Sequence, residues 1–377
     1  MGSATSSMSA EYEENKSKAH VLVIGGGWGG AHCCQQLRKH GIKFTLVDPR
    51  SFLYHNFASV RAVVQPDLTK KLTFEYKTTF GDSFVQGKVL QVDLEAKTAT
   101  LDSGRTINFT KVVFATGAMG PFPGNTEQTE VAGLVEEMSG AARELEKADT
   151  VVIIGGGAVG TELAAEVREV YKDKKIVIIH SRKGLASDSM GQKLQDNLKY
   201  ICDNMKIEVK LGVKVTNLGE ITPNKFMKQI VKIDSGEELD ADFVFTCIGM
   251  KIQTELSSQV FDLNELGHIK VLPDLSVAGH EDAYAIGDCC DWKQEKMAAH
   301  AADHGTLVAN NINLVLGGKE PMEYKPAFTG MVVTMGSNDG AGVFNGWCLP
   351  AFVVSRLKGR NNMFLHKSEE LMKPIQP

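Results

Sequence analysis

The 377-residue chain has no excess of positive charge: 41 lysines and arginines stand against 46 aspartates and glutamates, a net charge of −5. A nucleic-acid partner calls for a basic face, so none is expected. The chain also lacks any run of about 18 apolar residues free of glycine clusters and charges, the length a membrane-spanning helix needs. Residues 1–20 hold no continuous apolar core, so no secretory signal is expected. The seven cysteines, Cys33, Cys34, Cys202, Cys247, Cys289, Cys290 and Cys348, include no C-x-x-C pair. That excludes a dithiol redox motif and a disulfide scaffold, and it fits free thiols in a reducing compartment. The ten histidines show no zinc-ligand spacing with those cysteines, so no metal is expected.

What is present is a repeat. His20-Val-Leu-Val-Ile24 reads as a buried parallel strand, followed by a glycine cluster, a helix to about His40 and a strand Lys43–Asp48. A meander of short strands follows, with Asp102-Ser-Gly104 as a turn, and closes at Ala115-Thr116-Gly117. The pattern then recurs: strand Thr150–Ile154, glycine cluster, helix to about Tyr171, strand Lys175–His180, and a second meander ending at Gly249. Strand, glycine turn, helix, strand is the βαβ unit of a dinucleotide-binding fold. The expected architecture is α/β: two Rossmann-like dinucleotide-binding domains with a small C-terminal α+β unit. Residues 1–18 are expected to form a disordered tail. The first nucleotide domain is expected over 19–124 and 251–325, the second over 125–250, and the C-terminal unit over 326–377. A long helix is expected from Met297 to Leu316.

Gly25-Gly26-Gly27-Trp28-Gly29-Gly30 satisfies G-x-G-x-x-G between strand and helix. Such a turn brings bare backbone and a helix N-terminus to a pyrophosphate, and Asp48, at the end of the next strand, is placed to hold ribose hydroxyls. The alternative, a glycine turn for packing alone, does not call for Asp48. Gly155, Gly157 and Gly160 repeat the motif, but the following strand ends in His180-Ser-Arg182-Lys183, with no acid to repel a 2′-phosphate. NADH and NADPH both remain open, and Arg182 and Lys183 are alternatively solvated loop charges. Two such folds imply two dinucleotides. A flavin in one and a nicotinamide in the other is the economical pairing, because hydride then passes between bound rings. Gly287-Asp288, at the end of a strand in the returning segment, is positioned to hold a ribityl chain. Glu162 lies in the first turn of the second helix, where it either stabilises the helix end or approaches the reacting rings. His300 and His304, one turn apart, either line an acceptor pocket and relay protons or are structural.

The two glycine fingerprints, Ala115-Thr116-Gly117 and Ala285-Ile-Gly-Asp288, in this order, resemble the pyridine nucleotide–disulfide oxidoreductase superfamily. Gly120-Pro-Phe-Pro-Gly124, Ile179-His-Ser181, Tyr284–Cys289 and Ser337-Asn-Asp-Gly340 are similar to its ferroptosis-suppressor, apoptosis-inducing factor-like branch. That resemblance implies FAD as cofactor, NADH or NADPH as co-substrate, and a quinone of the ubiquinone or vitamin K type as acceptor at membranes. It further implies that Gly25, Gly27, Gly30, Arg61, Val89 and Asp288 contact FAD, with Thr116 and Gly117 beside them, and that Glu162, His180 and Gly249 lie at the nicotinamide site. Asn125 departs from the pattern, where a lysine would be expected. Rival readings are a reductase of an iron–sulfur protein and a DNA-binding signalling flavoprotein, the latter disfavoured by the acidic balance.

Two features bear on membranes. Met1-Gly2-Ser3-Ala4-Thr5-Ser6 fits the M-G-x-x-x-[ST] myristoylation pattern at Gly2, or matches it by chance. One such chain anchors only marginally, so a second contact is needed. Trp347, Leu349, Phe352, Val353 and Leu357 beside Arg356, Lys358 and Arg360 suit either a membrane surface or a packing or homodimer face. The expected location is cytoplasmic, peripherally attached to a lipid droplet, the plasma membrane or the mitochondrial outer membrane.

Overall fold

The structure is a computed structural model that describes residues 2–360 and 363–374. A helix α1 (Gly2–Lys18) precedes β1 (His20–Ile24), α2 (Trp28–Lys39), β2 (Lys43–Asp48), the short α3 (Ser59–Ala62), β3 (Phe84–Gln86) and β4 (Lys111–Phe114). Then come α4 (Val131–Glu146), β5 (Thr150–Ile154), α5 (Ala158–Val170), β6 (Lys175–His180), α6 (Gln192–Asn204), β7 (Glu208–Leu211) and β8 (Phe243–Thr246). The chain returns through β9 (Ser276–Val277), β10 (His280–Ala285) and α7 (Ala298–Leu316). It finishes with the hairpin strands β11 (Gly330–Met335), β12 (Asp339–Phe344) and β13 (Trp347–Leu349), then α8 (Ala351–Val354), a π-helical turn Ser355–Gly359, and α9 (Leu365–Leu371).

The first sheet runs β9-β10-β4-β1-β2-β3, and the second β7-β6-β5-β8. In both, the strand that carries the glycine turn sits between its two parallel neighbours, with registers that match step for step (Val21↔Phe44 and Val21↔Lys111; Val151↔Ile176 and Val151↔Phe243). These strands read as unbroken apolar runs because helices or meanders cover both faces. The Asp102–Gly104 and Asp234–Gly236 turns join paired antiparallel strands of the two meanders.

Where a disordered tail is expected over residues 1–18, Gly2–Lys18 is helical, and Met1 lies outside the described residues. The Tyr12 hydroxyl donates to Asn313 Oδ1 at 2.8 Å, and Asn15 Nδ2 donates to the Leu316 carbonyl at 3.1 Å, capping the C-terminal end of α7. Polar contacts to a helix end hold it, and an apolar-periodicity reading has no means of registering those.

Helix α5 ties the three units together. Glu162, Glu166 and Glu169 lie at i, i+4 and i+7, on one face, and each points at a different partner. Glu162 Oε1 accepts from the Thr334 N–H at 2.9 Å, the Thr334 hydroxyl at 3.1 Å and Lys358 Nζ at 2.5 Å. Glu166 accepts a two-pronged pair from Arg61 of α3, at 3.0 and 2.7 Å. Glu169 accepts from the Ser337 N–H at 2.6 Å. Arg61 also donates to the Gly359 carbonyl at 2.6 Å, so one guanidinium touches all three units. The pair is nearly dry, with side chains 4% and 1% exposed. Burial raises the Glu166 carboxyl above its ordinary range and Arg61 opposes it. Stranding one partner of such a pair costs about 3–5 kcal/mol, whereas replacing both with apolar groups is often neutral. Arg61→Met is therefore expected to lower the urea-unfolding free energy of the flavin-loaded protein by about 3–5 kcal/mol, with Arg61→Met/Glu166→Leu recovering most of it. A single variant as stable as the parent would refute this role for the pair.

Candidate active site

The first glycine turn is built for close approach. Gly25 has φ +103°, and a Cβ there would overlap the Ala115 carbonyl. One on Gly30 would overlap the Gly25 carbonyl oxygen, and one on Gly26 the Tyr76 hydroxyl, which donates to Gly26 O at 2.7 Å. At Gly29 a Cβ would press on the Ala301 carbonyl at 3.1 Å, because α7 crosses α2 there. Gly27 differs: nothing lies within 4 Å of its missing Cβ, so this position opens outward at the N-cap of α2. The first intrahelical bond runs from Ala31 N to Gly27 O, leaving the N–H groups of Trp28, Gly29 and Gly30 free of intrahelical partners and aimed outward.

Around this turn stand the other groups expected at a flavin. Asp48 is 3% exposed, and its carboxylate accepts from the Gly26 N–H at 2.7 Å and the Arg50 N–H at 2.8 Å, so it braces the turn. Trp28 Nε1 is buried without a hydrogen-bond partner, and its ring lies 5.0 Å from Phe57. Gly117 (φ +63°) has open space at its missing Cβ, and Thr116 Oγ1 reaches the Gln253 carbonyl at 3.5 Å. Asp288 is half-buried. Desolvation raises its carboxyl above the ordinary range, against Lys296 and His268. A bare phosphate cradle, an acid on the ribose side and a desolvated acid at the far turn fit FAD.

The second turn has the same construction. Gly155 has φ +114° with its Cβ position against the Cys247 carbonyl, Gly160 packs on the Gly155 carbonyl, and Gly157 opens to empty space at the N-cap of α5. His180 is 9% exposed with Nε2 unpartnered, and burial lowers its pKa. Arg182 is exposed and only loosely paired with Asp188, at 3.7 Å. Gly249 (φ +86°) is exposed with open space beside it. These residues fit a nicotinamide dinucleotide.

Five expectations are placed differently. Arg61, expected at FAD, commits Nε, Nη1 and Nη2 to Glu166 and Gly359. Val89 is a core residue, 5% exposed, packed with Ile24 and Val47 rather than presented to a ligand by its side chain. Glu162 is not a free acid at the helix end but is held by Thr334 and Lys358. Lys358, grouped by sequence with a membrane-facing basic cluster, is buried for that reason. His304 is 1% exposed. Its Nδ1 accepts from the Gly287 N–H at 3.2 Å, its ring meets Tyr324 edge-on at 4.3 Å, and burial pulls its pKa down to about 3. A neutral imidazole thus backs the Gly287-Asp288 turn from behind, which is a positioning role and not a proton relay. His300 is buried in the first turn of α7 with Nδ1 unpartnered. Tyr76 is the site-shaping residue that sequence reasoning missed, since it belongs to no motif, and Lys358 is the one whose role it misassigned.

The two glycine types give a direct test. Gly27→Ala meets no atom of the chain, so the flavin-free protein should melt as the parent does while FAD affinity falls, because the methyl group takes the ligand's place. Gly30→Ala overlaps backbone, so it should lower stability even without FAD. Thermal melts of both flavin-free proteins with an FAD titration would separate these outcomes. A Gly27→Ala variant with parental FAD affinity would move the cradle elsewhere.

Residues 19–305 match the pyridine nucleotide-disulphide oxidoreductase family. Ferroptosis suppressor protein 1 of Taeniopygia guttata is 35% identical over 361 residues, covering 95% of this chain and 96% of that one. The Homo sapiens protein of the same name is 32% identical over 376 residues, covering 98% and 100%. The sulfide:quinone oxidoreductase of Aquifex aeolicus superposes with a TM-score of 0.75 over 95% of this chain and 96% of its own, at 19% identity, a likeness of fold. The chain belongs to the pyridine nucleotide-disulphide oxidoreductases and, within them, to the ferroptosis suppressor protein 1 family, and it is an FAD-dependent oxidoreductase with NAD(P)H as co-substrate.

Proposed function

We propose that the chain is an NAD(P)H:quinone oxidoreductase that works at a membrane surface, reducing ubiquinone or vitamin K-type quinones to hydroquinones that trap lipid radicals and so suppress ferroptosis. The observation that carries this reading is the state of the cysteines. Cys33 and Cys34, on α2 behind the flavin turn, are fully buried, and desolvation pushes Cys33 up to about 12 and Cys34 well above its ordinary value. Cys289 and Cys290 are equally buried, with Cys290 pushed up to about 12. Thiols held neutral and out of reach do not relay electrons, so the acceptor must come to the flavin itself, which suits a small diffusible ring. The relatives named for ferroptosis suppression support the ferroptosis part of the reading.

FAD bound at the first turn supplies the two-electron chemistry, taking hydride from the nicotinamide and passing electrons on. The protein's own part is positioning. The two glycine turns aim two helix N-termini at two pyrophosphates, the α5 carboxylates hold the nucleotide domains at a set separation, and the Glu162–Lys358 pair keeps a buried carboxylate charge-balanced in the first turns of α5. Arg182 and Lys183 favour NADPH, while Asp188 beside Arg182 offsets part of that attraction.

Membrane attachment is read from two places. Gly2 begins α1 and carries the myristoylation pattern. The tip of the C-terminal unit exposes Trp347 (80%), Phe352 (72%) and Leu357 (46%), with Arg356 and Arg360 exposed beside them. Aromatic and aliphatic side chains flanked by arginines fit an anionic bilayer. Among the described residues no helix is long and apolar enough to cross a membrane.

Anaerobic stopped-flow absorbance of the flavin-loaded protein tests the reaction. Bleaching by NADPH or NADH followed by rapid reoxidation with a short-chain ubiquinone is expected. Bleaching without quinone reoxidation would point instead to a protein acceptor such as an iron–sulfur protein. Flotation with phosphatidylserine-containing vesicles tests the membrane face: Trp347→Ser/Phe352→Ser should reduce binding of the unlipidated protein. Unchanged flotation, or a dimer that the double variant dissociates, would assign the patch to a second copy of the chain.

A further inference from the structure

His300 is 4% exposed, yet its Nδ1 has no hydrogen-bond partner. Leaving a buried polar atom unsatisfied is destabilising, a penalty that an apolar side chain at this position would avoid. The imidazole stacks on Phe328, with ring centroids 5.3 Å apart and planes 30° apart. Phe328 stacks in turn on Phe344, at 5.7 Å and 21°. Phe344 is 48% exposed and pairs across the hairpin with Trp347, the most exposed aromatic of the proposed membrane face. Three rings therefore run from the apolar tip of the C-terminal unit to an orphan polar atom inside.

The inner end of this row adjoins the flavin site. Ala301, the next residue, lies against both of its turns. A Cβ on Gly29 would sit 3.1 Å from the Ala301 carbonyl oxygen, and one on Gly287 would sit 3.4 Å from the Ala301 methyl. Desolvation lowers the His300 pKa against the opposing charges of Asp303 and Glu295, so the neutral ring prevails near neutrality. A neutral imidazole with its hydrogen on Nδ1 is a donor, and a quinone carbonyl is an acceptor only.

Resting on the quinone reading above, we infer that the row Phe344–Phe328–His300 is the acceptor's seat. The quinone ring packs against Phe328, one carbonyl oxygen accepts a hydrogen bond from His300 Nδ1, and the isoprenoid tail leaves past Phe344 toward the membrane face. Flat apolar rings supply offset stacking beyond area burial. The single polar atom at the end gives orientation, the usual division of labour in a small-molecule site. The arrangement also explains why an exposed aromatic tip and a buried unpaired imidazole occur in the same structure.

The test uses the flavin-loaded protein, prereduced with NAD(P)H and reoxidised by a tailless ubiquinone, by decylubiquinone or by ferricyanide, which needs no such pocket. In His300→Leu, kcat/KM for both quinones should fall about 10-fold relative to ferricyanide, the loss of one hydrogen bond of roughly 1.4 kcal/mol. His300→Gln, which keeps an N–H donor, should restore most of that. Phe344→Ser removes the half-exposed ring past which the tail leaves, and it should raise KM for decylubiquinone severalfold more than KM for the tailless quinone. Flavin content and melting temperature of each variant establish that it is folded. A His300→Leu variant with an unchanged quinone-to-ferricyanide ratio, or a Phe344→Ser variant equally impaired with both quinones, overturns the seat while the quinone reading stands. A parent protein that no quinone reoxidises overturns both.

Discussion

Three carboxylates on one face of α5 hold the rest of the structure to a single arrangement. Glu162 and Glu166 are buried, so each must be met by a donor, since a buried acid left alone would cost several kcal/mol, while Glu169 is half-buried. Lys358 and Thr334 meet the first, Arg61 the second and the Ser337 amide the third. Those donors come from the flavin unit and the C-terminal unit, so the nucleotide domains and the C-terminal hairpin cannot shift independently without exposing an unpaired charge. For an enzyme that passes hydride between two bound rings, a set separation between the two glycine turns is the central requirement.

The π-helical turn Ser355–Gly359 makes this closure possible. It places Lys358 over Glu162 and turns the Gly359 carbonyl toward Arg61, two contacts that depend on where the turn sets successive residues. π-turns are rare, and they recur where a helix must present groups at an unusual angle. On the flavin side, His304 performs a comparable service from behind. Held neutral by burial, it accepts the Gly287 N–H and so fixes the turn that carries Asp288. Much of the polar chemistry of this chain therefore positions other groups.

The parts legible in the sequence are those whose physics is local. A glycine turn needs a positive φ at its first residue and no side chain at the close approaches, and both requirements are written within six residues at Gly25–Gly30 and again at Gly155–Gly160. Apolar runs name the central parallel strands, because a strand covered on both faces tolerates nothing else. Helix α1 went the other way. Its sequence is polar and without periodicity, and it is held by Tyr12 and Asn15 on the end of α7, about 300 positions further along, so no window of residues could announce it.

Sequence alone determined that this is a two-nucleotide oxidoreductase fold without a C-x-x-C dithiol, and where its two tight glycine turns lie, because those properties depend on neighbours a few positions apart. Tertiary structure alone decided the roles of Arg61, Lys358 and His304. Arg61 meets an acid 105 positions away, Lys358 one 196 positions away, and His304 backs a turn 17 positions earlier. The same lysine reads as a membrane contact beside Arg356 and Arg360 and proves to be a buried counter-charge. Whether a charge faces solvent or a partner is settled by desolvation, and desolvation depends on what the folded chain brings alongside.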